Sequence, residues 1–216
     1  MKISIQPEVF QQFHPEFRAG FILATGIDNK INVKKANHLL ADVQKVVQLS
    51  FNKDTAKSHL LISPWNTAKE EFGKKAKHYH TSVEALLQKA LRKQKLQSKD
   101  TISAILHYLA LKHIVPFGAD DPTKIKGDLS FEISKKDLQY RDAQKVLGKK
   151  LDYWKNAKTA VKASSKAALI HFEFLPPVSI AKQREILTEA AELIQDFCGG
   201  KVKVEVVDKK KNSVSF

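Results

Sequence analysis

The 216 residues carry 37 Lys and Arg against 23 Asp and Glu, a formal net charge of +14, and 43% of them are hydrophobic, with 12 Phe. That is enough apolar material for one sizeable core, and the charge favours polyanions, whether nucleic acid or an anionic membrane surface. The lone cysteine, Cys198, excludes an internal disulfide framework and a Cys-based zinc site, and no run approaches the roughly 18 to 20 apolar residues of a membrane span.

The first residues, Met1 to Ile5, lack the long apolar run of a secretory signal, so a cytoplasmic protein is expected. Ile3 and Ile5 alternate with polar neighbours up to Pro7 and predict a short strand. Phe17 to Gly26 is a continuous apolar stretch of the kind buried strands show. Between Val33 and Leu49 the residues Leu39, Leu40, Val43, Val46 and Val47 recur at helical spacing. Thr81-Ser82-Val83-Glu84 reads as a capping box, with Val83, Leu86, Leu87, Ala90 and Leu91 behind it on one helical face. Ile102, Ile105, Leu106 and Leu109 predict a further helix ending near Pro116. Leu129 and Phe131 open a strand, and Ala168 to Leu175 reads as a second buried one. Leu187, Ala190, Ala191, Ile194 and Phe197 form a last amphipathic helix, stopped by Gly199-Gly200, before Val202, Val204 and Val206 alternate as a final strand. Strands interspersed with helices predict a single α/β (α+β) domain with a mixed sheet flanked by helices.

The basic residues cluster. Lys74, Lys75 and Lys77 precede the capping box, while Lys89, Arg92, Lys93 and Lys95 follow it. Lys149, Lys150, Lys155, Lys158, Lys162 and Lys166 mix with Tyr153 and Trp154, an interleaving able to hold phosphates and stack bases. Solvated faces are the alternative for each cluster. Lys209 to Lys211 predict a basic, frayed tail over 209–216. Catalytic signatures are scarce: the chain has no Walker-type loop, no GxGxxG, no HExxH among eight His and no GxSxG elbow. His78 and His80 share a spacing open to a metal, but nothing converges with them, so no metal and no cofactor are expected.

Five segments in series resemble one family. Phe72-Gly73 through Ser82, Glu84, Ala85, Leu86 and Leu87 is similar to "fG-x-k-P-k-x-y-x-x-S-x-E-A-L-L", and Lys112-His113-Ile114-Val115-Pro116-Phe117-Gly118-Ala119-Asp120-Asp121 resembles "K-H-x-x-P-x-G-x-x-D". Lys124 to Leu129, Tyr153 to Thr159 and Ala168 to Pro177 resemble the segments that follow. These are patterns of the B3/B4 domain family, which holds the amino-acid editing domain of the phenylalanyl-tRNA synthetase β subunit and a set of stand-alone proteins. The resemblance spans about Pro64 to Gly200 and implies a B3/B4-like core over 61–208, with 1–60 as an N-terminal strand and helix part of the same domain.

It further implies a deacylase that clears mischarged aminoacyl-tRNA in trans, with tRNA as partner and no membrane. A non-catalytic tRNA or amino-acid binding module with the same fold is the alternative, and an enzyme on another aminoacyl ester or amide is a third reading. The chain departs from the family where Ala104 and His107 replace Asp and Asn, where Gly118 replaces a His after the Pro, and where His171 replaces an acidic residue. Glu173, two places on, shares a strand face with His171. Carried over position by position, His107, Gly118 and His171 are the expected catalytic residues: His107 as a water-orienting base, Gly118 as a turn residue whose N–H faces the ligand. Asp121, Trp154, Asn156 and Glu173 are the expected substrate contacts. Lys89, Arg92, Lys93, Lys155 and Lys158 are the expected tRNA contacts. For His107 the alternative is a half-buried side chain that only makes a hydrogen bond, for Asp121 a turn support before Pro122, and for Trp154 a place in the core.

Overall fold

The computed structural model describes residues 1–71, 80–134, 137–149 and 158–216. In chain order these form β1 (Lys2–Ile5), a π-helical turn (Val9–Phe13), β2 (Arg18–Thr25), α1 (Val33–Ser50), α2 (Ser63–Glu71), α3 (Ser82–Leu91) and α4 (Thr101–His113). There follow β3 (Phe117–Asp120), β4 (Leu129–Ser134), β5 (Asp137–Arg141), β6 (Val146–Lys149), β7 (Ala167–Phe174), α5 (Ile180–Cys198), β8 (Lys201–Val207) and β9 (Ser213–Ser215). The mixed α/β class is as expected, but the strands divide into two sheets. One has the order β6-β5-β4-β1-β9, with β1 parallel to β4 and its other pairings antiparallel. The other is antiparallel throughout, in the order β3-β7-β2-β8.

Strand pleating explains the layers. Along β2, Ala19 and Phe21 face the first sheet and pack with Ile3, Ile5, Phe131 and Tyr140, whereas Ile22 and Ala24 face the helices. Along β7, Leu169 joins the inter-sheet core, and Ile170, Phe172 and Phe174 meet Ile102, Ile105 and Leu109 of α4 and Ile186, Leu187 and Ile194 of α5. A third cluster, Leu40, Val43 and Val47 of α1 with Leu86 and Leu87 of α3 and Leu111 of α4, fastens the outer helices. Each of these large side chains contributes on the order of 1.5–3 kcal/mol by leaving water. The result is sheet, sheet, helix layer and outer helices.

The helix signals hold locally. The Thr81 hydroxyl accepts from the Glu84 N–H while the Glu84 carboxylate accepts from the Thr81 N–H, so the predicted capping box opens α3. Gly199, at φ 68°, ends α5 with backbone that a side chain would strain. The segment expected to fray is ordered. Asp208 accepts from the N–H groups of Lys210 and Lys211, and this turn returns the chain to add β9 beside β1.

Candidate functional site

A cavity of about 490 Å³ opens between α3, the first turns of α4, β3 and residues 160–161. Its walls are held from several sides. Ser82, the first residue of α3, accepts from the Phe117 N–H at 2.9 Å and so pins that helix to β3. At the start of α4, Asp100 caps the helix by accepting from the Ser103 N–H (2.9 Å) and Ser103 hydroxyl (2.9 Å). Asn29 locks that cap, donating to Asp100 at 3.1 Å and accepting from the Ile102 N–H at 2.8 Å.

One turn after Ser103 comes His107, on the same helix face and on the cavity wall. Its Nδ1 lies 3.0 Å from the Ser98 hydroxyl, and its ring stands edge-on to Phe117 at 5.6 Å between centroids. Burial above all, and then the Lys89 charge, lower its pKa to about 4 against a smaller opposing pull from Asp100. His107 is therefore neutral at pH 7.

Gly118 also lines the cavity, but as a strand residue rather than the turn residue expected. Phe117 and Ala119 pack toward the helices, which leaves Gly118 and Asp120 on the opposite, inter-sheet face. Gly118 pairs with His171 of β7, and a Cβ at Gly118 would sit 2.1 Å from the His171 Nε2. The absent side chain is thus the space His171 fills. The Glu173 N–H bonds to the Pro116 carbonyl at 3.1 Å, and antiparallel pairs alternate, so the Gly118–His171 pair is a hydrogen-bonded one. The Gly118 N–H is consequently spent on the ladder and does not face a ligand.

His171 does not line the cavity. It is 1% exposed, its ring lies 5.8 Å from Phe21, 6.1 Å from Phe131 and 5.1 Å from Tyr140, and burial lowers its pKa to about 3. Glu173 is fully buried on the same face. The pleat decides this: the partner of Gly118 must point where the Gly118 side chain would have pointed. Two groups missed in the sequence belong to this inter-sheet cluster. Asp120 accepts from the Thr159 hydroxyl and burial raises its pKa to about 6. Tyr140 is raised well above its usual value by burial, reinforced by the charges of Asp120 and Glu173. Asp120 was legible, lying two residues from Gly118 on a strand, whereas no motif marks Tyr140.

Asp121 is committed to structure. It caps the 3₁₀ turn Pro122–Lys124, accepting from the Thr123 N–H at 3.1 Å and hydroxyl at 2.6 Å, and from the Ser165 hydroxyl at 2.7 Å. Burial raises its pKa, but these bonds and Lys124 outweigh that and hold it below the usual carboxylate value. The alternative given for it, a turn support, describes its surroundings.

Of the basic residues, exposed Lys89 and Lys95 stand on the cavity rim, and Arg92 lines an adjoining groove with His80 and Gln88. Lys93 lies just past α3 in the left-handed region at φ 57°, and Lys158 is exposed in the turn before β7. Trp154, Asn156 and Lys155 lie outside the described residues, as do Lys74, Lys75, Lys77, His78, Lys150 and Tyr153. Among the described residues no three metal-ligating side chains come together, and no helix is long and apolar enough to cross a membrane.

Fold and site together define a basic two-sheet α/β protein with a helix-capped polar cavity on one side of β3 and a buried carboxylate–histidine cluster on the other. Compared with known proteins, the chain matches no protein-family model and no curated sequence.

Proposed function

We propose that this protein is a stand-alone aminoacyl-tRNA deacylase, removing wrongly attached amino acids in trans. The observation that carries the reading is the neutral His107 on the wall of a 490 Å³ cavity, paired with Ser98 and rimmed by Lys89 and Lys95. The motif resemblance supports it, and the net charge of +14 suits a tRNA partner.

The chemistry asks for a positioned water and little else, because an aminoacyl ester is already activated. With Nδ1–H donating to the Ser98 hydroxyl, Nε2 keeps a lone pair and takes a proton from water. The hydroxide adds to the ester carbonyl carbon, and the carbon–oxygen bond to the ribose then breaks. His107 returns the proton to the departing ribose oxygen, leaving a free amino acid and a tRNA 3′ end. Gln97 on the cavity wall supplies an amide donor for the oxyanion in place of Gly118, whose N–H is committed. Basicity is modest with a conjugate acid near 4, so the rate is limited by base strength rather than by the fraction of neutral imidazole.

A second reading, a binding module without turnover, is favoured by the committed Gly118 N–H and by Asp121, whose carboxylate is taken by Thr123 and Ser165. A deacylation time course over correctly charged and mischarged tRNAs, at catalytic protein concentration, separates the two. Release from one mischarged species with its cognate counterpart spared is the expected result. His107→Ala should slow that release roughly 100-fold, the lower end of general-base contributions, with tRNA affinity unchanged. Retention of every ester by the wild type, alongside tight tRNA binding, would leave the binding module.

A further inference from the structure

The cavity is electrostatically one-sided. Its described lining residues include Lys89, Lys95, His80 and His107 and no carboxylate. The carboxylates nearby are already engaged. Glu84 is bonded to Lys69 and Thr81, Asp100 to Ser103 and Asn29, Asp120 to Thr159, and Asp121 to Thr123 and Ser165. Neither Lys89 nor Lys95 has an ion-pair partner among the described residues. The wall below this rim is apolar, formed by Leu86, Leu106 and Phe117. The volume of about 490 Å³ lies in the range of small-molecule sites.

We propose that the cavity binds a small organic anion, a phosphate monoester on a flat or apolar body, with its charge at Lys89 and Lys95 and its body against Leu86, Leu106 and Phe117. A carboxylate presents the same charge to the same rim, and the experiment separates the two sources. The site stands on the cavity's charge and shape alone, so it holds whether or not an ester is hydrolysed there. An α-ammonium group meets no counter-charge among the described lining residues, whereas an anion meets two exposed ammonium groups and the Gln97 amide. The Lys89 field already reaches His107, whose pKa it helps to lower, and the other charged group acting on that ring is Asp100. An anion at the rim offsets Lys89 and draws the His107 pKa back upward.

The test is calorimetric titration of the full chain with adenosine 5′-monophosphate, inorganic phosphate and N-acetylglutamate, paired with an NMR titration of His107. Expected are saturable binding of the nucleotide, at least ten-fold tighter than inorganic phosphate and weakening with salt, and a rise in the His107 pKa from about 4 when it is bound. The double variant K89A/K95A, which removes only exposed side chains, should lose at least ten-fold in affinity while unfolding at the wild-type urea midpoint. Tighter binding of N-acetylglutamate would assign the site to carboxylates. Equal affinity for nucleotide and inorganic phosphate would overturn the role of the apolar wall. No saturable binding of any probe at millimolar concentration, or equal binding by K89A/K95A, would overturn the site. Nucleotide binding without turnover of any charged tRNA would sink the deacylase reading alone. Turnover by a protein that binds none of the probes would sink this inference alone.

Discussion

Replacing Lys69 with Met tests whether the start of α3 is held by charge. The Lys69 ammonium is fully buried and donates to Glu84 Oε2 at 2.6 Å and to Asn66 Oδ1 at 3.1 Å. The same carboxylate oxygen accepts from the Thr81 N–H at 2.8 Å and hydroxyl at 2.9 Å. Removing one partner of a buried pair strands the other and costs about 3–5 kcal/mol. Because both Thr81 donors remain on Glu84, the lower end applies, about 3 kcal/mol. At roughly 2–4 °C per kcal/mol for a chain of this length, Tm should fall by about 6–12 °C, measured by differential scanning calorimetry. The second variant K69M/E84Q removes both charges and leaves a Gln able to accept from Thr81, so it should recover most of the loss.

The pH dependence supplies an independent check. Burial pushes Glu84 up, but His80, Lys69 and Thr81 outweigh it and hold its pKa below 4.5 in the folded state. A depressed carboxyl contributes stability that is present above the unfolded pKa and is lost as pH falls through the folded one. Burial lowers the Lys69 pKa more than Glu84 raises it, so the ammonium itself costs stability while charged. The pair is therefore worth little net at pH 7, which is why joint replacement should be tolerated and single replacement should not. In K69M the Glu84 pKa should climb, and the stability lost below pH 4.5 should shrink. A K69M protein melting within about 2 °C of wild type, or a double variant no better than K69M, would refute this account.

Gly118→Ala places a methyl against His171 and should cost about 1–3 kcal/mol by overpacking, read as a lower urea midpoint; the same change in a His171→Ala background should cost less. Asp120, with its pKa raised to about 6, contributes stability below pH 3.8 that is lost as pH rises through 6, on the order of 3 kcal/mol at 1.36 kcal/mol per unit. Asp120→Asn should abolish that decline across pH 4–7 in urea unfolding, since Asn can still accept from Thr159. Ser98→Ala removes the partner of the His107 Nδ1 and should lower the deacylation rate by releasing the tautomer, with tRNA affinity unmoved.

What could be read ahead of the structure followed from local rules. The capping box at Thr81 needs only two residues at fixed spacing, and the runs in β2 and β7 are apolar because both faces of that sheet are covered. What could not be read depended on partners distant in the chain. Helix α2 carries Trp65 and Ala68 as its only buried apolar side chains among polar neighbours, too sparse a stripe to announce a helix. Strands β5 and β6 are short, and the inward residues of β5, Leu138 and Tyr140, make only one alternation. The frayed-tail expectation failed because three residues beyond a lysine run found an open edge at β1. At the site, the shared face of His171 and Glu173 followed from strand period two, but which layer that face meets is set by the register of β7 against β3. That register put His107 and His171 on opposite sides of one strand.

This separation constrains any mechanism. On the helix side of β3 the described charges that line the cavity are the cations Lys89 and Lys95, beside a neutral His107. On the inter-sheet side Asp120 and Glu173 are buried with Tyr140 and His171. A ligand with both an ammonium and a phosphate is complementary to the two sides together, not to either one. Gly118 touches both, since it lines the cavity and its missing side chain is the space filled by the His171 ring. Passage there requires β3 to part from β7, breaking the Gly118–His171 pair, whereas an anion alone is served from the cavity with the sheet intact. Amide exchange at Gly118 distinguishes the two situations. Protection that persists with nucleotide bound but collapses during turnover of a charged tRNA would mean that catalysis opens the sheet; protection unchanged throughout would confine the chemistry to the His107 side.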